Sequence, residues 1–452
     1  MDISGKKRFL VIGLGKSGRA VARLLADRGF TVAVFDDEAS ALKSAAGSTE
    51  LAGLERPIEF ATGESVLGSL IQSDCVVVSP GVSLDHPIVR KARADGTEII
   101  GELEVAYHFC AAEIIGVTGT NGKSTVVSLL GDIFAAAERR YAVGGNIGTP
   151  LSSIITENRD IDVAVLEISS FQLDTIVDFK ARVAVLLNVT ADHLDRYDNS
   201  FDRYAQSKSR ILNAADENTW FVYNVDDVVC KRIADGYSGR KITFGTAVAG
   251  SDGVYVHGDT IVRRWRGEPE TVVAVSDFSP VGIHNLENAL AAVAAATPFG
   301  IDARVLARAL RAYRPLPHRM ELVRVAGGVA YIDDSKATNV DATIKSVRSI
   351  DGHLVLILGG VDKGGEYAPL VEHLGRVRRV ILIGEASDKI EAALGGHCDM
   401  VRAASMEEAV KKASESAVAG DTVLLAPACS SFDMFSSYAA RGDAFKAAAG
   451  TL

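Results

Sequence analysis

The stretch IIGVTGTNGKSTVVSLL, residues 114–130, decides how the rest of the chain is read. A short β-type apolar run meets a glycine-rich turn and then a helix-forming run, the order in which N–H groups at a helix start hold phosphate. The common spelling G-x-x-x-x-G-K-[ST] is not met, because five positions before Gly122 stands Val117. The first usable glycine is Gly119, so the loop runs Gly119, Thr120, Asn121, Gly122, Lys123, Ser124, Thr125. Its glycines let backbone N–H groups approach phosphate oxygens, Lys123 supplies a cation, and Ser124 offers a hydroxyl to Mg²⁺. A glycine turn before a helix is usually only a turn; the Lys-Ser pair points this one to phosphate.

Ligands of open parallel sheets sit outside the carboxyl ends of the strands, so residues that end neighbouring strands converge. Two further strand ends follow in this segment. Glu167 stands directly behind VAVL (163–166), and His193 lies five residues past Asn188 in NVTADHLDRY (188–197). Singly, Glu167 reads as well as a helix cap, and His193 as a solvated loop residue. Together at one sheet edge they read as a site. In SFDRYAQSKSRIL the residues Phe201, Tyr204, Ala205, Ile211 and Leu212 form a helical stripe, and Lys208 falls on it. Such a lysine either snorkels outward or faces a site where its amine is paired or modified.

The same strand-turn-helix grammar fills the chain. RFLVIGLG, SGRAVARLLADRG and TVAVFDD open a first segment that closes with the strand candidates CVVVSPG and TEIIGELE; GVAYIDDS, HLVLILGG, RRVILIG and DTVLLAPACSS make a third. We expect an α/β protein of three domains, 1–101, 102–316 and 317–452, each on a largely parallel sheet flanked by helices: Rossmann-like, P-loop-type and Rossmann-like in turn. That agrees with 452 residues at about 150 per domain. Residues 236–280 alternate and carry glycines, which reads as an antiparallel excursion.

A net charge of −10 disfavours nucleic acid or an anionic membrane as partner and leaves small ligands. Five scattered cysteines without a C-x-x-C pair support neither a disulfide framework nor zinc, and no apolar stretch reaches 18 residues. The N-terminus reads as a first strand, cut by glycines and Lys16, rather than as a secretory leader. A cytoplasmic monomer acting on small molecules is expected.

Gly13, Gly15 and Gly18 spell G-x-G-x-x-G before a helix, and Asp36 follows near the place of a ribose-binding acid. A nicotinamide oxidoreductase is one reading; a diphosphate of another nucleotide satisfies the same turn. A dehydrogenase has no use for the second phosphate loop. A phosphate-loop switch should end its metal-binding strand in aspartate, where this chain has Glu167.

The motifs GTNGKS, LEISSFQL, NVTADHLDRY, HNLENA, LPHR and DDSKATN together resemble the Mur ligase family of ATP-dependent amide-forming enzymes. GLGKSG, SPGVSLDHP, GGNIG and APACSSFDMF are similar to its branch that adds D-glutamate to UDP-N-acetylmuramoyl-L-alanine in peptidoglycan synthesis. The resemblance spans all three segments. It implies that a substrate carboxylate attacks the γ-phosphate of ATP, and that the amine of D-glutamate opens the acyl phosphate. It places one Mg²⁺ on Ser124 and Glu167, and a second on His193 and a carbamylated Lys208. It places Asn288 at adenine, Arg319, Asp334 and Lys336 around ATP, and Thr338, Lys363, Ser431 and Tyr438 at D-glutamate. The sugar nucleotide falls to Gly15, Lys16, Ser17, Asp36 and Gly81, with Asn146 from the middle segment. Asp362 directly before Lys363, and Tyr438 where some relatives have Phe, depart from the pattern at the amino-acid pocket. The sibling that adds L-alanine to the nucleotide sugar and a folylpolyglutamate-type ligase of the same family are the nearest alternatives. One site built from three segments also implies closure on ligand binding.

Overall fold

Apolar runs punctuated by glycine become strands buried on both faces, as parallel strands between helix layers must be. The computed structural model describes residues 3, 5–48, 51, 54, 56–63, 65–157, 160–246, 252–278, 280 and 282–452. Three sheets follow one another along the chain. The first is all parallel, in the order Glu59–Phe60, Thr31–Phe35, Arg8–Ile12, Cys75–Val78, Glu98–Gly101. The third has six strands with Val329–Asp333, Thr422–Leu425 and Leu354–Gly359 at its centre; only its edge strand Glu321–Ala326 is antiparallel. The fold is the expected α/β arrangement of parallel-rich sheets between helices.

The nine-stranded middle sheet positions the site. Glu113–Thr118 lies between Val163–Glu167 and Val183–Leu186, parallel to both, so the loops after all three leave from one edge. On one face the helices Lys123–Ala136 and Ile283–Ala296 bury Val126, Leu129, Leu130, Ile133 and Leu290 against Val117, Val165 and Val185. Each such side chain contributes about 1.5–3 kcal/mol relative to exposure.

Residues 236–280 are antiparallel only in part. Arg240–Gly245 pairs parallel with Trp220–Asn224 and with Gly253–His257; the antiparallel ladder begins between Gly253–His257 and Thr260–Trp265 and continues to Glu268–Ala274. Residues 247–251 and 279 lie outside the described part. These strands put Val254, Ile261 and Val273 into the core that holds the helix Ile283–Ala296, so the excursion widens the platform beneath that helix.

The candidate strand TEIIGELE stops at Gly101, and Glu102–Tyr107 is helical. Its two glutamates are buried and bound to the middle domain. Glu104 accepts the N–H groups of Val177, Asp178 and Phe179 at 2.8, 2.8 and 3.1 Å, while Glu102 accepts Ser152 N–H at 2.9 Å and its hydroxyl at 2.7 Å. Satisfying loop donors with these buried carboxylates outweighs extending the edge strand by a few more residues. No helix among the described residues is long and apolar enough to cross a membrane.

Candidate active site

Backbone geometry shapes the loop first. Gly122 has φ +91°, and a Cβ there would stand 2.2 Å from Asn288 Oδ1, so neither conformation nor space admits a side chain. Asn188, at the end of the neighbouring strand, pins the loop: its Oδ1 accepts Asn121 N–H at 2.8 Å and its Nδ2 donates to Asn121 O at 3.1 Å. Thr120 is buried, its hydroxyl 3.2 Å from Tyr204 OH, and Thr125 is buried under the following helix. Lys123 Nζ donates to Gly119 O at 2.9 Å and Thr120 O at 2.8 Å, so the lysine caps its own loop. Burial lowers its pKa, against Glu167, which raises it.

Glu167 is buried, and its Oε2 accepts the Ser124 hydroxyl at 2.6 Å, with Asn146 Nδ2 3.3 Å from Oε1. It does not cap the next helix. That task falls to Ser169, in a reciprocal box with Gln172.

Lys208 points inward. It is 2% exposed, donates to Gly119 O at 2.9 Å, and stands 4.5 Å over the Tyr204 ring. Burial, then repulsion from Lys123, holds its pKa well below 10.5. The outward, snorkelling arrangement that its stripe also permitted is therefore not adopted.

His193 takes a left-handed backbone conformation (φ 52°) that turns its ring edge-on to Phe171, 5.4 Å between centroids. Burial lowers its pKa to about 4 in spite of Asp192, leaving a neutral imidazole at pH 7. Lys123, Ser124, Asn146, Glu167, His193 and Lys208 wall a cavity of about 300 Å³, closed from the third domain by Arg319, Lys336, Thr338 and Lys363. An adjoining cleft brings Asn288 and Asp334 beside Arg319, Lys336 and Gly122.

Ser431 and Tyr438 do not reach this cavity. Ser431 is buried and its carbonyl accepts the N–H groups of Met434 and Phe435; the Tyr438 ring lies beneath Lys336 Nζ at 4.1 Å, behind the wall. Nor do Gly15, Lys16, Ser17, Asp36 and Gly81, which gather at the carboxyl edge of the first sheet. There Asp36 closes the glycine turn, accepting Leu14 N–H at 2.7 Å and Glu38 N–H at 2.9 Å. Gly18 permits the helix to approach, since a Cβ would lie 1.8 Å from Gly13 O. Lys16 Nζ donates to Gly148 O at 2.6 Å, linking this turn to the loop that carries Asn146.

Asp192 and Asn339, both lining the cavity, went unread in the sequence. Asp192 accepts Lys363 Nζ at 3.1 Å and Asn339 Nδ2 at 3.0 Å; burial pushes its carboxyl up, but Lys363 and His193 outweigh it and hold it at about 2. Both residues lay inside quoted motifs, Asp192 directly before His193 and Asn339 at the end of DDSKATN.

Crowding of cations is the electrostatic signature of the site. Burial, Arg319 and Lys123 lower the Lys336 pKa to about 7, while burial pushes Asp334 up to about 6. Below about pH 7 Lys336 is charged in both folded and unfolded chains and its penalty is complete; the penalty vanishes as pH rises to the unfolded value of 10.5. Lys336→Met is therefore expected to raise Tm at pH 7, with a gain that shrinks towards pH 10.5. Melting curves of both proteins across that range, without nucleotide, check it; a constant or growing gain contradicts the burial argument.

Three family profiles cover the chain: the Mur ligase MurD-like N-terminal domain at residues 7–101, the Mur ligase middle domain at 117–296, and the Mur ligase glutamate ligase domain at 318–429. Among curated relatives, the UDP-N-acetylmuramoylalanine–D-glutamate ligase of Geotalea daltonii is 43% identical over 100% of this chain and 99% of its own length. Those of Geobacter metallireducens and Thermoanaerobacter sp. strain X514 are 42% and 40% identical, over 100% of this chain and 99% and 100% of theirs. Among solved structures, a pseudomurein peptide ligase type C from Methanothermus fervidus aligns with TM-score 0.61 at 20% identity, covering 93% of this chain and 96% of that one. The UDP-N-acetylmuramate-alanine ligase of Thermotoga maritima aligns with TM-score 0.56 at 19% identity, covering 94% and 96%. At such identities these two speak for the fold alone.

Proposed function

The chain belongs to the Mur ligase family, and we propose that it joins D-glutamate to UDP-N-acetylmuramoyl-L-alanine at the expense of ATP, a step of peptidoglycan precursor synthesis. The observation that carries this reading is the meeting of phosphate loop, Glu167, His193 and Lys208 with Lys336, Thr338 and Lys363 around one cavity. In this reading residues 1–101 take the sugar nucleotide through the Gly15–Lys16–Ser17 turn, Asp36 and Gly81. Residues 102–316 take ATP, and 317–452 take the amino acid.

The substrate carboxylate and the triphosphate are both anions; at 4 Å and an effective dielectric of 20, each pair of unit charges repels by about 4 kcal/mol. Lys123 offsets this by leaving the Gly119 and Thr120 carbonyls for the phosphates, with Arg319 and Lys336 across the cavity. A substrate carboxylate oxygen then attacks the γ-phosphorus in line and ADP leaves. The amine of D-glutamate attacks the acyl carbon, phosphate leaves, the nitrogen loses a proton, and the amide remains. Thr338 and Lys363 hold the amino-acid carboxylates from the cavity wall.

The donors fit Mg²⁺: Ser124 Oγ and Glu167 Oε2 are hard oxygens 2.6 Å apart at the loop, and neutral His193 offers a nitrogen to the same cavity. Bound Mg²⁺ would neutralise charge on the transferring phosphoryl group. Burial disfavours the charged form of Lys208, which suits carbamylation: the amine nitrogen bonds to the carbon of CO₂ and releases a proton, leaving an anionic oxygen donor.

Phosphate release from ATP with Mg²⁺ and UDP-N-acetylmuramoyl-L-alanine tests the reading, with D-glutamate compared against L-glutamate, D-aspartate and L-lysine. Release with D-glutamate alone is expected. Activity with another amino acid would redraw the pocket at Thr338, Lys363, Ser431 and Tyr438; release with none would remove the sugar-nucleotide assignment.

A further inference from the structure

Asn121 is the phosphate-loop residue whose side chain crosses to the third domain. Its backbone is fixed from within its own domain by Asn188, which leaves the carboxamide free to reach outward. Nδ2 donates to Asp341 Oδ2 at 2.8 Å, and Oδ1 accepts Asn339 Nδ2 at 3.2 Å. The two partners belong to the start of one helix, Val340–Arg348: Asn339 is its N-cap, accepting Ala342 N–H at 2.8 Å, and Asp341 sits in its first turn. Asn339 Nδ2 also donates to Asp192 Oδ2 at 3.0 Å, beside His193. The helix start therefore grips two active-site loops of the middle domain at once. Within that grip Asp341 supplies a carboxylate to Asn121, and a hydrogen bond to a charged acceptor is about twice as strong as a neutral one.

We propose that Asp341 is a positioning residue for the ligation: through Asn121 its carboxylate ties the seating of the amino-acid domain to the conformation of the ATP loop. The effect on catalysis rests on the function proposed above; the contact itself does not. When the third domain swings away, Asn121 Nδ2 loses its acceptor and the loop loses its outer support. When it seats, Thr338 and Lys363 arrive at the cavity together with an ordered loop. Asp341 also pairs with Lys345, 2.9 Å away and one turn along the same helix. A change at Asp341 thus has two routes of action, which Asp341→Asn separates: the amide oxygen still accepts from Asn121, whereas the ion pair is gone.

The test uses the whole chain in three forms, wild type, D341A and D341N, with two readouts. Amide hydrogen exchange over residues 119–125 is measured first, without ligands, so that it needs no turnover. About tenfold faster exchange is expected in D341A, with D341N close to wild type. Steady-state rates come second. D341A should lose about tenfold in kcat/KM for D-glutamate, D341N should largely recover it, and the Kd for UDP-N-acetylmuramoyl-L-alanine should stay unchanged in both. Unchanged exchange in D341A overturns the proposal, as does a D341N that behaves like D341A, which would assign the effect to Lys345. Weakened sugar-nucleotide binding in D341A would mean general loss of structure and overturns it too. Wild type inactive with D-glutamate would instead sink the functional reading, while the exchange data still decide the contact.

Discussion

Lys208→Ala is expected to lose turnover by about 10³-fold or more while the protein stays folded. The side chain is 2% exposed yet makes one hydrogen bond, to Gly119 O, so its removal takes away little that holds the helix Phe201–Ser209 in place. The helix is anchored by Tyr204 and Ala205, and alanine is a good helix former at the vacated position. The cost falls on the site, where the variant has no amine to become an anionic ligand. Lys208→Arg should fail as well, because a guanidinium stays charged and does not form a carbamate under these conditions. Small carboxylic acids added to the alanine variant should return part of the activity by occupying the vacated space. Circular dichroism checks the fold and phosphate release the rate; full activity in Lys208→Ala would rule out a metal-bridging role for this lysine.

Lys123→Met should lower kcat by about 10³-fold or more, with a smaller change in the KM for ATP. The amine now bonds to two carbonyls of its own loop, and a triphosphate competes with those neutral acceptors by offering charge. Charge on the γ-phosphoryl oxygens and the attacking carboxylate is brought together most closely in the transition state, so the lost cation is felt more there than in binding. Stability should change little. Two hydrogen bonds of about 1 kcal/mol each disappear, and so does the desolvation of a buried amine, with opposite sign. Steady-state kinetics with a parallel melting curve measure both. A variant within tenfold of wild-type kcat would show that Arg319 and Lys336 suffice to neutralise the phosphates.

Glu113–Thr118, Val163–Glu167 and Val183–Leu186 were legible as central strands because a strand buried on both faces must be apolar throughout. Tyr141–Gly145, Glu321–Ala326 and Met400–Arg402 were not. They lie at sheet edges with partly exposed faces, and their mixed composition follows from having solvent beside them. The helical stripe of Phe201–Ser209 was legible too, but a stripe states only that one face is covered, not by what.

The sequence by itself determined the local chemistry: a loop with φ-positive glycines and a Lys-Ser pair after a strand, carboxylate and imidazole at neighbouring strand ends, and three rounds of strand-turn-helix. Those are properties of consecutive residues, set by backbone sterics and by 2.0- and 3.6-residue periods. Only the tertiary structure decided that Lys208 faces Gly119, that Asp192 binds Lys363, that Asn121 meets Asp341, and that Ser431 and Tyr438 stand behind the wall. These partners are separated by 89, 171 and 220 residues for the three named pairs, and no local period carries information over such distances. They are chosen by how three domains pack, where a buried polar group takes whichever complementary partner the packing brings within about 3 Å.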